Sequence, residues 1–277
     1  MQTNNLATRQ LPLGSTNNHN GFDEYVREMI LSLRAIPKEE REKWIEAGGF
    51  SEWMKHKPGR RRDLRGDSGK DLLLLVHTLG EIVKKQKITL LFVQEIGLFI
   101  GNAISGRFNG YEREIKICTN GPVLREVNTL IHEIAHVYVY DLERKWGNRI
   151  YRNYERESIC EIASNIVARS FGFKRSDVPG GYMAYWLNFS DDEESTVRIA
   201  TEQGQLVAAK IITDAIDVLQ NDSQMPGRWR MRYRLMHLLE GFVSDSYTMH
   251  GHVDVDLSNI TLPHDNEYAQ SASSKMS

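Results

Sequence analysis

From Phe22 to Ile36 the apolar residues Tyr25, Val26, Met29, Ile30 and Leu33 recur three and four apart, the period of one helix face. Pro37 suits the first turn of a second helix, which carries Glu39 and Glu40 and stops near Gly48 and Gly49. A third helix is expected from Asp71 to Lys85, with Leu72, Leu75, Val76, Leu79, Ile82 and Val83 on one side. The short apolar run Ile88 to Val93 reads as a buried strand. The glycine-rich stretch Phe99 to Phe108 reads as strand and turn, and Asn109-Gly110 is a strong turn signal. Glu112 to Cys118 alternates between apolar and polar, the mark of a half-buried strand, which we expect at a sheet edge.

The second half of the chain is helical in pattern. Long helices are expected at about Val123 to Trp146, Tyr154 to Phe171 with Gly172 as its stop, Glu193 to Gln220, and Arg228 to Phe242. A short aromatic helix is expected from Gly180 to Phe189. Beyond Ser244 the chain turns polar, and residues 1–20, rich in Asn, Thr and Gln, read as disordered. The pattern divides the chain into residues 1–20, a small helical segment with a basic linker over 21–66, a main domain over 67–243, and a polar tail over 244–277. No repeat is present. The fold class expected is α+β: a small mixed sheet with an active-site helix and a mostly helical C-terminal part.

Composition narrows the function classes. With 40% hydrophobic and 26% charged residues, the 277-residue chain can bury a sizeable core. A net charge of -2 argues against a protein that coats nucleic acid non-specifically. The run Lys55-His56-Lys57-Pro58-Gly59-Arg60-Arg61-Arg62 is the local exception. Arg60, Arg61 and Arg62 are candidates for contacting single-stranded DNA, although no aromatic residue interleaves with them, and a solvated linker is the preferred reading of the run. Two cysteines, Cys118 and Cys160, lie outside any Cys-x-x-Cys pair, which speaks against a cysteine-built zinc site or a disulfide framework. No signal peptide or membrane span is read from the sequence, so a cytoplasmic enzyme is the expectation.

The chemistry is concentrated at His132-Glu133-Ile134-Ala135-His136. Histidines four apart share a helix face and can hold one ion through their imidazoles. Glu133 stands about 100° around the helix from His132, at the flank of that face, where it can take a proton from water activated by a metal. Apolar residues on either side, Leu130, Ile131, Ile134, Ala135 and Val137, predict that this helix is buried. A third ligand is expected on the next helix, where Glu155, Glu157 and Glu161 compete. Glu157 is the chosen ligand and Glu161, one turn on, the partner of a ligand histidine's free N–H. Zn2+ is the expected ion. His250, His252 and His264 lie in the polar tail and read as exposed side chains rather than a second metal site.

The stretch Glu157-Ser158-Ile159-Cys160-Glu161-Ile162-Ala163-Ser164-Asn165 after the His-Glu-Ile-Ala-His helix resembles the gluzincin pattern: a glutamate ligand, a small residue three later, an acid or amide four later. The segments ESICEIASNIVARSFGF, YMAYWLNF and ATEQGQLVAAKIITDAIDVL are similar to the C-terminal zincin-like domain of ArdC-type antirestriction proteins, where a Tyr and a Trp four apart precede a leucine. Tyr182 and Trp186 have that spacing. The resemblance covers residues 105–222 and implies a zincin-like metallopeptidase related to the ImmA and IrrE regulatory peptidases, whose substrates are repressors. Two departures stand out. Cys160 occupies a position where alanine is usual, and the single-stranded-DNA-binding domain of ArdC proteins is not recognisable in residues 1–90.

The function expected is hydrolysis of a peptide bond in a specific protein or peptide substrate, in a phage or mobile-element setting. Glu133 acts as general base and later protonates the leaving amine. The strand over 112–118 lines the cleft and pairs with extended substrate. Tyr182 stabilises the oxyanion, with Tyr154 and His237 as further candidates. Two other classes remain at this stage: an antirestriction or DNA-binding protein whose zinc is structural or vestigial, and a non-peptide hydrolase with the same metal core.

Overall fold

The structure, a computed structural model, describes residues 21–46, 64–65, 69–99, 102–103, 105–119, 123–146, 150–175, 181–222 and 227–250. The expectations for residues 1–20, for Arg60, Arg61 and Arg62, and for His252 and His264 fall outside the described residues. In chain order the elements are α1 (Gly21–Arg34), α2 (Lys38–Glu46), β1 (Leu64–Arg65), α3 (Gly69–Lys85), β2 (Thr89–Val93), β3 (Leu98–Phe99), β4 (Asn102–Ala103), β5 (Gly106–Asn109) and β6 (Glu114–Cys118). Then follow α4 (Val123–Trp146), α5 (Asn153–Ser170), β7 (Lys174–Arg175), α6 (Gly181–Leu187), α7 (Glu193–Asn221) and α8 (Arg228–His250). The protein is mostly helical with a three-stranded mixed sheet, an α+β architecture.

Two strand expectations are corrected by the sheet. Its order is β2-β6-β5, with β2 parallel and β5 antiparallel to β6, so the strand within Glu112–Cys118 is central rather than an edge. Alternation reports that one face is buried and the other is not; it carries no information about whether the strand's sides are paired. Ile115 and Ile117 point into the core while Glu114 and Lys116 lie on the outer face. Conversely, the run expected as a buried strand is one of the two edges: Leu91 and Phe92 of β2 are 37% and 61% exposed. Its apolar composition reflects β-propensity more than burial. The Asn109-Gly110 turn forms where expected, with Asn109 Oδ1 accepting the Tyr111 N–H at 3.1 Å.

Helix α5 is the centre of the helical half. Every residue from Ser158 to Ala168 is buried, with α4 and α7 packed against it. The approach of α7 depends on Gly204: a Cβ there would lie 2.7 Å from Ile162 Cγ2 and 3.1 Å from the Ile159 carbonyl oxygen. Gly204→Val is therefore expected to destabilise by about 2 kcal/mol. Gly80 in α3 has nothing within 4 Å of its Cβ position, so Gly80→Ala is expected to stabilise by about 0.5–1 kcal/mol through helix propensity. Urea midpoints at unchanged m-value check both signs.

The N-terminal helices pack against the helical half. Phe22, Val26, Met29 and Leu33 of α1 belong to the same buried cluster as α5 and α7. The Phe22 and Phe242 ring centroids are 5.1 Å apart, and Arg169 of α5 pairs with Glu28. Arg41 of α2 forks onto Glu193 at 3.1 Å. The last helix continues to His250, past its expected end at Phe242. Among the described residues, no helix is long and apolar enough to cross a membrane.

Candidate metal centre

Leu130, Ile131, Ile134, Ala135, Val137 and Val139 bury one side of α4 and fix the rotation of the helix about its axis. His132 and His136, four apart, then emerge together with their Nε2 atoms 3.2 Å apart. Glu157 reaches them from the second turn of α5. Its Oε2 is 3.2 Å from His132 Nε2 and its Oε1 3.5 Å from His136 Nε2. Three donors at bond lengths of 2.0–2.1 Å around a tetrahedral ion lie about 3.3–3.4 Å from one another. These three side chains present that spacing and can hold a metal ion.

The competing glutamates are sorted by the same geometry. Glu155 caps α5, its Oε2 accepting the Arg152 backbone N–H at 2.8 Å, and so is turned to the helix end. Glu161 is 3% exposed and its Oε2 lies 3.7 Å from His132 Nδ1, the nitrogen that faces away from the ion site. It sits where a carboxylate orients a ligand imidazole. Cys160 lies between the two glutamates. Burial, then the carboxylates of Glu157 and Glu133, push its thiol well above the ordinary value, and it is not among the donors that converge with the two imidazoles.

Charge within the site is sorted in opposite directions. Burial alone raises the Glu157 carboxyl, but His136 and His132 outweigh it and hold it well below the carboxylate range. Glu133, 6% exposed, is raised to about 7, chiefly by burial, with His136 and the Phe108 backbone N–H pulling it down and Glu157 pushing it up. One carboxylate is held ionised, as a ligand requires, while its neighbour is poised to exchange a proton near neutrality. In the metal-free protein Glu133 favours the folded state fully below pH 4.5, and that contribution is lost as pH rises through about 7. The fall in thermal midpoint across this window is expected to flatten in metal-free Glu133→Gln.

Gly106 and Phe108 were not singled out as site residues from the sequence, yet they position Glu133. The Cys118 N–H donates to the Ser105 carbonyl at 2.8 Å, so alternation along β5 turns the backbone groups of Gly106 and Phe108 away from β6. The Phe108 N–H bonds the Glu133 carboxylate. A Cβ on Gly106 would lie 2.8 Å from Glu133 Oε1 and 2.4 Å from Thr129 Cγ2, so only glycine lets β5 approach α4 this closely. The visible signal was a glycine at the start of a short strand beside the metal helix. Gly106→Ala is expected to displace Glu133 while leaving the three donors in place, read as unchanged metal affinity and a flatter pH dependence of the metal-free thermal midpoint.

Tyr182 of α6 is at the site. Its hydroxyl donates to Glu157 Oε2 at 3.0 Å, and its ring stands edge-on to His132 with centroids 5.6 Å apart. Burial and then the Glu157 charge raise its hydroxyl well above the ordinary value, so it stays a donor. The other oxyanion candidates are engaged elsewhere. The Tyr154 hydroxyl accepts from Arg152, and His237 pairs with Glu240 on the exposed side of α8. Compared with protein-family models, with curated proteins and with solved structures, the chain matches none.

Proposed function

We propose that this protein is a zinc-dependent metallopeptidase with a zincin-like site, and that the ArdC-like and ImmA/IrrE-like resemblance of residues 105–222 reflects that chemistry. The observation that carries the reading is the donor triangle of His132, His136 and Glu157 beside a buried carboxyl raised to about 7. An imidazole-imidazole-carboxylate set with a flanking glutamate suits zinc. When bound, zinc polarises the scissile carbonyl and lowers the pKa of water to about 7.

The chain's own residues do the rest. Glu133 accepts a proton from the attacking water and returns it to the leaving amine. Glu161 orients His132 from behind, and Tyr182 steadies Glu157. For Tyr182 to donate to an oxyanion, its hydroxyl must first turn away from Glu157. Substrate pairing moves from the expected strand to its neighbour. Both sides of β6 are taken, whereas β5 is paired on one side only among the described residues. An extended peptide adding to β5 runs along its outward edge at Gly106, beside Glu133, whose carboxylate already takes the Phe108 N–H. The target proposed is a specific cytoplasmic protein of a phage or mobile-element system.

The test is hydrolysis of a proteome-derived peptide library by the zinc-loaded full chain. Cleavage abolished by a chelator, restored by zinc and absent in Glu133→Gln supports the proposal. Cleavage that survives chelation, or its absence from the zinc-loaded protein with both peptides and folded lysate proteins, counts against it.

A further inference from the structure

The β2-β6-β5 sheet has two edges, and the substrate path uses only β5. The other edge, β2, lacks the usual guards. Its sequence Thr89-Leu90-Leu91-Phe92-Val93 holds no charge and no proline, whereas edge strands are commonly kept from pairing by Lys, Pro or a bulge. Leu91 is 37% and Phe92 61% exposed. Phe92 is in register with Ile117, so it shares the core-facing side of the sheet yet stays open to solvent.

The hydrogen bonds to β6 fix which backbone groups remain open. The Thr89 N–H donates to the Arg113 carbonyl at 2.9 Å, and the Thr119 N–H donates to the Val93 carbonyl at 2.9 Å. Alternation therefore turns the backbone of Thr89, Leu91 and Val93 toward β6 and that of Leu90 and Phe92 outward. Among the described residues, no strand pairs with that outward side.

A second copy of the same strand fits it. With the two strands antiparallel about a two-fold axis at Leu91, Leu90 of one copy falls opposite Phe92 of the other. Both residues present their backbone outward, so each such pair exchanges its N–H and C=O groups. Leu91 then faces its own copy on the axis. Just beyond the strand ends, Lys87 of one copy falls opposite Glu95 of the other. Both side chains are exposed, and neither is in an ion pair among the described residues. Moving the axis to Leu90 sets Phe92 against Ile88 and Lys87 against Val93. Moving it to Phe92 sets Leu90 against Gln94 and Lys87 against Gly97. An unrelated strand could fill the hydrogen bonds, but the matched apolar pairs and opposed charges belong to this sequence set against itself.

We propose that β2 is a self-association edge, through which two copies of the chain join their sheets antiparallel about Leu91. The pairing needs nothing from the metal centre and leaves β5 free. It does not depend on the peptidase reading.

Sedimentation of the full chain over roughly 1–100 μM is expected to show a monomer–dimer equilibrium. Leu91→Lys, which sets two ammonium groups against each other on the axis, should weaken the dimer by roughly 10-fold or more. Lys87→Glu and Glu95→Lys should each weaken it by roughly 5-fold, and the two together should return it to within about 2-fold of wild type. Under mild oxidation Leu91→Cys should give a disulfide-linked dimer, because opposed Cα atoms in a pair of this kind lie about 4.5 Å apart, within disulfide reach. Thr89→Cys should not, since its two copies would stand about 13 Å apart. The native Cys118 and Cys160 are buried and serve as the background. Circular dichroism confirms that each variant is folded. A chain that stays monomeric at about 100 μM overturns the proposal. So does a dimer indifferent to Leu91→Lys, or one that cross-links as readily through Thr89→Cys as through Leu91→Cys. Association that grows beyond the dimer also overturns it, because a two-fold contact closes on itself.

Discussion

Glu157→Ala is expected to lose its zinc. Glu157 supplies one of the three donors, and its loss leaves two imidazoles 3.2 Å apart with no anion to balance the ion. The fall in affinity should exceed the roughly 10–100-fold typical of an outer partner's loss. Glu161→Ala is the matched comparison. Its carboxylate faces His132 Nδ1 from 3.7 Å, so removing it should weaken binding only within that 10–100-fold range. Competition against a chromophoric chelator measures both. If Glu161→Ala loses the metal and Glu157→Ala keeps it, the ligand assignment is reversed.

Glu133→Gln is expected to keep its zinc and lose hydrolysis by roughly 100- to 10,000-fold. That corresponds to about 3–5.5 kcal/mol of barrier. Glutamine fills the same space and can accept the Phe108 N–H, but it cannot accept and return a proton. The buried position of Glu133 and its carboxyl raised to about 7 make proton exchange near neutrality the property at stake. Metal content and rate measured on the same preparation separate this outcome from collapse of the site. Hydrolysis retained in the variant would remove Glu133 from its role.

The sequence showed some parts of this site clearly and others not at all, for physical reasons. A helix repeats every 3.6 residues, so His132, His136 and the apolar side of α4 could be read from spacing alone. Spacing alone left Glu155, Glu157 and Glu161 in competition; the Arg152 to Glu155 cap turns Glu155 to the helix end, while Glu157 faces both imidazoles. The pairing of β6 was hidden because alternation is a property of sheet faces; a central strand with one solvated face looks the same as an edge. Gly106 was hidden for a different reason. Its importance lies in a missing side chain, and only the approach of β5 to Thr129 and Glu133 reveals what that absence permits. Tyr182 was singled out through the family resemblance, but the direction of its hydroxyl, toward Glu157, is a rotamer choice that no periodicity encodes.

The most direct measurement is zinc K-edge X-ray absorption on the purified wild-type protein after exhaustive dialysis. About one ion per chain is expected, with a first shell of only nitrogen and oxygen at about 2.0–2.1 Å and the multiple scattering of two imidazoles. A sulfur shell at about 2.3 Å, which would bring in Cys118 or Cys160, or a protein that retains no zinc, would contradict a site built from His132, His136 and Glu157.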